Sequence, residues 1–414
     1  MSDDPTWALL RHPATIRARC NAILAAVAED RSTNFRVDRT RLDEAAARVA
    51  ALTRERFPDL RIPFHSRWRH FEAGGVDRKA ELDALLAGRS AQEQARARID
   101  LTVLSVLLDA GAGARWQFVE GDAESGHRYQ RSEGLGVASF RAFVAGVFSD
   151  RDGEPLRADA TALARVDAPL LRRVFQAGPE NPLVGVEGRA ALLARLGRSL
   201  AARGEGDAAR PGRLWDELSA TGTRSHVTAA EVLDAVLRLT GPAWASGSIV
   251  MGQPAGDMWL HRFAGDEVAG GGHDRLSAGI VPFHKLSQWL TYSLLEPLQW
   301  AGLAVTGVDE LTGLPEYRNG GLLLDTGVIV PRDPRALART WKPGDEFVVE
   351  WRALTVALLD ELAARVRALL GPAAAALPLA CILEGGTWAA GRAIASERRA
   401  GAPPLLVDSD GTIF

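Results

Sequence analysis

Residues 281 to 329, VPFHKLSQWLTYSLLEPLQWAGLAVTGVDELTGLPEYRNGGLLLDTGVI, place ionisable side chains in the most apolar surroundings of the chain. From His284 to Trp300 the spacing of apolar residues predicts a helix that is buried on nearly all sides. The apolar positions are Leu286, Trp289, Leu290, Leu294, Leu295 and Leu298. We expect the fold to be organised around this helix and the chemistry to lie at its start, where His284, Lys285 and Gln288 occur.

Lys285 is the first candidate catalytic residue. Lysine occurs only at positions 79, 285 and 342, and arginine supplies the rest of the 49 lysine and arginine residues. A lysine that enters a buried helix is therefore expected to have a partner instead of serving as general surface charge.

Glu316, in LPEYR at residues 314 to 318, is the candidate partner. Pro315 favours the first turn of a second helix, and a carboxylate there is expected to stay ionised at the positive end of the helix dipole. This helix should carry three leucines, at positions 322 to 324, into the core and stop at Gly327. The alternative is a buried Lys285–Glu316 ion pair with a purely structural role.

Composition limits the classes of function. The chain has 414 residues, 47% of them hydrophobic and 24% charged, with a net charge of −3, which is typical of a soluble globular protein and argues against a general nucleic-acid binder. The N-terminus lacks the pattern of a signal peptide, and no run reaches the roughly 18 apolar residues of a membrane span. We expect a cytoplasmic protein without nucleic-acid or membrane partners, in which Cys20 and Cys381 are free thiols.

Helical patterns dominate the remainder of the chain. They cover Ala8 to Asp30, Leu42 to Phe57, Gln92 to Asp109, the segment after a Thr228–Glu231 capping box, and a long segment after Asp345. Residues 115 to 149 combine a glycine-broken polar stretch with an aromatic-rich helix. We predict a mainly α fold with few short strands, divided into a helical part at 1–240 and a helical catalytic part at 241–414, or forming one intertwined body.

The segment IPFHSRWRHFEAGGVDR, residues 62 to 78, concentrates arginine, histidine and aromatic residues before two glycines. Arginine forks bind phosphate oxygens, so we expect Arg67 and His70 to hold the anionic part of a ligand. The alternative is a surface loop whose aromatic residues dock on the core.

A metal site is a further alternative, since Asp257, His261, His273 and Asp274 occur within one poorly periodic region. No pair of them has the spacing of helical metal ligands, and the intervening glycines indicate loops. We therefore expect neither a metal nor another cofactor.

Three segments resemble a family of fungal and bacterial uracil-catabolism proteins: residues 62 to 78, GLLLDTGVI at 321 to 329, and APPLLVDSDGTIF at 402 to 414. The resemblance covers nearly the whole chain. It implies a role in a ring-opening route of pyrimidine breakdown, in which a ribosyl-urea species must be split.

A second, more distant resemblance is to the queuosine-nucleotide N-glycosylases, also called queuosine salvage proteins. VPFHKLSQWL at 281 to 290, LTGLPEYRNGG at 311 to 321 and EFVVEWRALT at 346 to 355 follow the order of that family's FYKRAQIL-like, LTMFADYRVPQ-like and ExEIRA-like motifs. The resemblance implies a helical body like that of helix-hairpin-helix DNA glycosylases. It also places that family's lysine at Lys285, its catalytic aspartate at Glu316, and its Tyr-Arg pair at Tyr317 and Arg318, while Leu286 replaces the arginine of its first motif.

These observations together predict an N-glycosidase that hydrolyses a ribosyl nucleotide, ribosyl-urea 5-phosphate being the expected substrate and ribose 5-phosphate a product. Glu316 and Lys285 are the expected catalytic residues. The expected substrate-binding residues are Arg67, His70, His284, Gln288, Tyr317 and Arg318. A phosphoribosyltransferase acting on uracil is one alternative, although the acidic-acidic-threonine pyrophosphate loop of that class is missing. A non-catalytic regulatory protein of the pathway is the other.

Overall fold

The computed structural model describes residues 4–109, 111–113, 115–122, 125–244, 247–265 and 275–408. Helices make up most of this structure, which confirms the predicted mainly α fold. In chain order they are α1 Pro5–Arg11, α2 Pro13–Ala28, α3 Leu42–Arg56, α4 Trp68–Phe71, α5 Arg78–Leu85, α6 Ala91–Leu107, α7 Arg131–Val144, α8 Ala160–Ala164, α9 Ala168–Val174, α10 Val186–Ala201, α11 Arg213–Leu218, α12 Ala229–Thr240, α13 Arg275–Ala278, α14 Lys285–Trp300, α15 Tyr317–Asp325, α16 Glu346–Leu370, α17 Leu379–Ile382 and α18 Trp388–Arg399.

The strands are short and pair two by two. They are β1 Phe35–Val37, β2 Gln117–Glu120, β3 His127–Gln130, β4 His226–Thr228, β5 Ile249–Val250, β6 Gln253–Pro254, β7 Met258–Leu260, β8 Ile280–Pro282, β9 Ala304–Thr306, β10 Ile329–Pro331, β11 Thr340–Trp341 and β12 Leu406–Val407. Antiparallel pairs are β1–β10, β2–β3, β5–β6 and β7–β8, and parallel pairs are β4–β9 and β11–β12. Two of these pairs, β1–β10 and β4–β9, join segments on either side of residue 240.

The helix predicted from His284 to Trp300 is α14, and its burial follows from the apolar pattern. Leu290, Leu294, Leu295 and Leu298 are fully buried, while Ser287, Thr291 and Ser293 are also removed from water. The Thr291 and Ser293 hydroxyls donate to backbone carbonyls one turn earlier in the helix, which satisfies them inside the core. A helix buried on all sides thus carries few side chains that reach solvent or a ligand.

Some predicted boundaries differ from the observed ones. The expected helix from Ala8 to Asp30 is two helices, because the chain breaks at His12 before Pro13 opens α2. The glycine-broken stretch contains the β2–β3 hairpin, and α7 includes Gly134 and Gly136. The capping box of Thr228 with Glu231 is confirmed. Within the described part of the chain, no helix is both long enough and apolar enough to cross a bilayer.

α15 and α18 approach closely, and this contact shapes the region around Glu316. At Gly391 of α18 a Cβ atom would lie 2.1 Å from the Arg318 carbonyl oxygen, so only glycine fits there. A π-helical turn, Leu383–Thr387, contains Glu384 and leads directly into α18 at Trp388. Pro404 packs beside Gly321 of α15, and Leu405 is buried.

Candidate active site

A cavity of about 560 Å³ lies where α14, α15, α7 and α18 begin. Its volume matches that of sites for small molecules. Ionisable and aromatic side chains share its wall with the chain segment at residues 400–407. The lining side chains used below are His65, His70, Asp109, Arg131, Ser132, Lys285, Trp289, Glu316, Tyr317 and Trp388.

Glu316 is the N-cap of α15. Its two carboxylate oxygens accept the backbone N–H groups of Arg318 at 2.7 Å and Asn319 at 2.6 Å. The prediction that Pro315 occupies the first turn is wrong, because α15 begins at Tyr317 and an extended Glu316 precedes it. The predicted stop is confirmed, since α15 ends at Asp325 and Gly327 adopts a φ of 77°.

The Glu316 side chain is only partly buried, and these two hydrogen bonds hold its oxygens in place beside the cavity. Burial raises the pKa of its carboxyl group, although the two N–H donors and the positive charge of Lys285 oppose this shift.

Lys285 is half-buried and lines the same cavity as Glu316. Burial lowers the pKa of its ammonium group, while the nearby Glu316 carboxylate acts in the opposite direction. Among the described residues no carboxylate lies close enough to form a direct ion pair with the Lys285 ammonium. The two groups therefore interact across the cavity and are not joined as a closed structural pair.

Arg352 fixes the start of α14 and the loop before Glu316. Its guanidinium donates to both Asp257 oxygens at 2.7 Å and, through Nε, to the Pro315 carbonyl at 3.3 Å. Asp257 Oδ2 also accepts the backbone N–H of Lys285 at 2.9 Å. The three motifs of the queuosine-salvage resemblance thus meet in space.

Arg67 does not line the cavity. It is fully buried, with Nε donating to Ser105 at 2.6 Å and Nη1 lying 3.2 Å from Asp109 Oδ2. His70 does line the cavity, 3.4 Å from Arg67 Nη1. Burial and the adjacent Arg67 charge lower the pKa of the His70 imidazole, so this ring is neutral near pH 7.

His284 and Gln288 also lie away from the cavity. His284 Nε2 is 2.9 Å from the Leu10 carbonyl, and its positive φ of 49° turns the chain into α14. The Gln288 amide bonds to the Thr312 backbone and hydroxyl at 2.9 and 2.6 Å. Both side chains join α14 to neighbouring segments of the fold.

Tyr317 and Arg318 occupy different positions. Tyr317 is 37% exposed and lines the cavity, whereas Arg318 is buried behind it, 4.6 Å from the Tyr317 ring centroid. Arg318 also lies 5.9 Å from the centroid of Trp388. Arg318 therefore supports two aromatic side chains of the wall.

Several lining residues were not assigned as site residues in our sequence analysis. His65 Nδ1 lies 2.8 Å from Glu384 Oε2, and its ring is about equally far from Trp289 and Trp388, with centroid distances of 6.4 and 6.3 Å. Asp109, which follows α6, lines the cavity and forms an ion pair with Arg67. His65 carried a sequence signal, since it belongs to the same cluster as Arg67, but Asp109 and Trp388 did not.

Two of the four residues considered for a metal, Asp257 and His261, have protein partners. Asp257 binds Arg352, and His261 Nε2 lies 3.2 Å from the buried Glu350. His273 and Asp274 lie outside the described residues. In the part of the chain that the structure describes, no three His, Cys, Asp or Glu side chains come together as metal ligands.

Comparisons with known proteins agree with the resemblance to uracil-catabolism proteins. The chain is 39% identical to "Protein urg3" of Schizosaccharomyces pombe over 411 residues, which is 96% of each protein. It is 38% identical to "Uracil catabolism protein 4" of Lachancea kluyveri over 381 residues, or 85% of each. A family model described as "Protein of unknown function (DUF1688)" matches residues 9–414, and the chain belongs to this DUF1688 family.

Proposed function

We propose that this protein is an N-glycosidase of uracil catabolism that hydrolyses the bond between ribose 5-phosphate and a urea-like leaving group. The observation that carries the proposal is the position of Glu316, a carboxylate held by two backbone N–H groups at the wall of a cavity that also contains Lys285. The name of the Lachancea kluyveri relative supports the pathway.

Glu316 supplies the chemistry that such a hydrolysis needs. As the C–N bond breaks, positive charge builds up on the anomeric carbon, and a nearby carboxylate stabilises it. A water molecule then forms the new C–O bond and gives a proton to Glu316, while the departing nitrogen retains the bonding electrons and takes up one proton, from Glu316 or from solvent, to leave as neutral urea. A raised carboxyl pKa makes Glu316 a better proton acceptor than an ordinary surface glutamate.

Lys285 complements this carboxylate. Its positive charge lowers the pKa of the Glu316 carboxyl group, against the effect of burial, and so favours the ionised form of Glu316. Since no protein carboxylate in the described structure pairs directly with it, the ammonium group is available to hold ribose oxygens.

Two buried polar atoms of lining residues match the hydrogen-bonding groups of a ureido group. Asp109 Oδ1 and Trp289 Nε1 lack hydrogen-bond partners among the described residues, and both side chains lie against Arg67. A carboxylate oxygen accepts an N–H of urea, and an indole N–H donates to its carbonyl. Buried polar atoms without a partner are costly, so a ligand that satisfies both gains affinity.

The decisive experiment is to incubate the purified protein with ribosyl-urea 5-phosphate and measure the release of ribose 5-phosphate and urea. Glu316→Gln should lower kcat by roughly 100-fold or more, because the amide neither accepts the proton nor stabilises positive charge.

Thr228→Ala is the matched control, since it removes the N-cap of α12 outside the cavity. It should cost about 1 kcal/mol of stability and leave kcat unchanged. Wild-type turnover by folded Glu316→Gln would refute the role of Glu316, and the absence of any release by the wild type would refute the proposed reaction.

A further inference from the structure

Arg131 is a second cationic residue of the cavity wall, and its charge is not paired with any residue that the structure describes. The side chain is half-buried, and among the described residues it makes neither an ion pair nor a hydrogen bond. Nearby arginines differ in this respect, because Arg67 pairs with Asp109 and Arg392 with Glu133. A partly dehydrated guanidinium without a carboxylate favours an anion that enters with the ligand.

The surroundings of Arg131 hold its guanidinium at the cavity. A Cβ atom built on Gly401 would lie 3.2 Å from Arg131 Nη2, so the C-terminal segment packs directly against the guanidinium. Gly401 has a φ of 85°, which also disfavours any larger residue there. The Arg131 side chain therefore extends from the start of α7 to the chain segment that contains Gly401.

Arg131 shares the cavity wall with Glu316 and Tyr317. Burial raises the pKa of Tyr317, the residue next to Glu316, and the positive charges of Arg318 and Arg131 oppose this increase. Ser132, the next residue of α7, also lines the cavity and adds a hydroxyl donor.

We propose that Arg131, assisted by Ser132, binds the 5-phosphate of the ribosyl substrate. This inference rests on the proposed function and replaces the expectation that Arg67 does so, since Arg67 is fully buried and bound to Asp109. The planar guanidinium fork matches two phosphate oxygens, and the phosphate dianion supplies the negative charge that Arg131 lacks. Lys285 is then left to serve the ribose and Glu316.

Calorimetric titration with ribose 5-phosphate, ribose and inorganic phosphate tests the assignment. Arg131→Asn removes the charge and suits the positive φ of 54° at this position, so the variant should fold. We expect it to weaken ribose 5-phosphate binding by roughly 10- to 100-fold, the size expected for lost charge-assisted hydrogen bonds. Binding of ribose should not change, and Arg131→Lys should recover part of the phosphate affinity.

Arg173→Asn, at an exposed residue of α9 away from the cavity, is the matched charge control and should bind like the wild type. Ribose 5-phosphate affinity within threefold of wild type in Arg131→Asn would overturn the assignment, as would a wild type that binds no phosphate-bearing probe. If instead Arg131 controls phosphate binding but the wild type splits no ribosyl-urea 5-phosphate, the anion site stands and the proposed reaction fails.

Discussion

Arg352 and Asp257 form a two-pronged ion pair, with both guanidinium-to-carboxylate distances at 2.7 Å and both side chains more than nine-tenths buried. Asp257 in turn accepts the backbone N–H of Lys285, and Arg352 donates to the carbonyl of Pro315. One buried pair thus links the backbone of Lys285 to that of Pro315, the residue before Glu316. Arg352 belongs to α16, and no residue of α16 is among the described residues that line the cavity.

Arg352→Met should therefore destabilise the fold. Removing one partner of a buried pair leaves the Asp257 charge uncompensated, which costs about 3–5 kcal/mol. The Pro315 carbonyl loses a donor as well. Chemical unfolding measures the loss. The control is Arg335→Met, because Arg335 pairs with Asp333 at a 90% exposed position and should change stability by less than about 0.5 kcal/mol. Equal losses in the two variants would contradict the buried role of Arg352.

Lys285→Met should behave differently from Arg352→Met. Lys285 has no direct carboxylate partner in the described structure and is half-buried, so its removal should cost little stability. The Lys285→Met substitution should, however, abolish the stabilisation of the protein by ribose 5-phosphate. Thermal melts with and without ribose 5-phosphate measure both effects. A strong loss of stability, rescued by the Lys285→Met, Glu316→Leu double change, would instead support the structural ion pair.

The helix containing Lys285 and the presence of a second helix beginning near Glu316 were accessible from sequence because each depends on local signals. An apolar pattern defines α14, and a stop glycine follows α15. The predicted start of α15 was two residues too early, because proline occurs both in the first turn of a helix and just before it. The N-cap role of Glu316 was therefore not predicted. Local chemistry thus locates such residues but leaves their hydrogen bonds open.

Arg67 shows why other parts of the site could not be predicted. An arginine in an aromatic cluster has the same sequence signal whether it faces a ligand or binds a buried carboxylate. Its partner Asp109 lies in another helix region, and only the tertiary fold brings them together. The contact of Arg131 with Gly401 likewise joins residues far apart in the chain. Long-range packing of this kind leaves no periodic pattern in the sequence.

Glu384 should make the stability of the fold decrease at acidic pH. Burial favours its neutral form, but the hydrogen bond from His65 and the charges of His65 and Arg56 outweigh burial and lower its pKa below 4.5. Its ionised form therefore stabilises the fold above the unfolded-state pKa, and this stability is lost as pH falls through the folded-state value. Glu384→Gln should show a smaller decrease in Tm between about pH 5 and pH 3. Exposed Glu187→Gln is the control, and an unchanged Tm slope in Glu384→Gln would contradict the prediction.

The pH dependence of turnover tests Lys285 and Glu316 together. The active form needs an ionised Glu316 and a protonated Lys285. Because burial raises the pKa of Glu316 above 4.5 and lowers that of Lys285 below 10.5, kcat/KM should rise with pH as Glu316 deprotonates and fall again as Lys285 loses its proton. Lys285→Arg retains a cation that stays protonated throughout, so the alkaline decrease should disappear while reduced activity remains. Lys342→Arg, at an exposed lysine, is the matched control and should keep the wild-type profile. If kcat/KM still decreases at alkaline pH in Lys285→Arg, the decrease is due to a group other than Lys285.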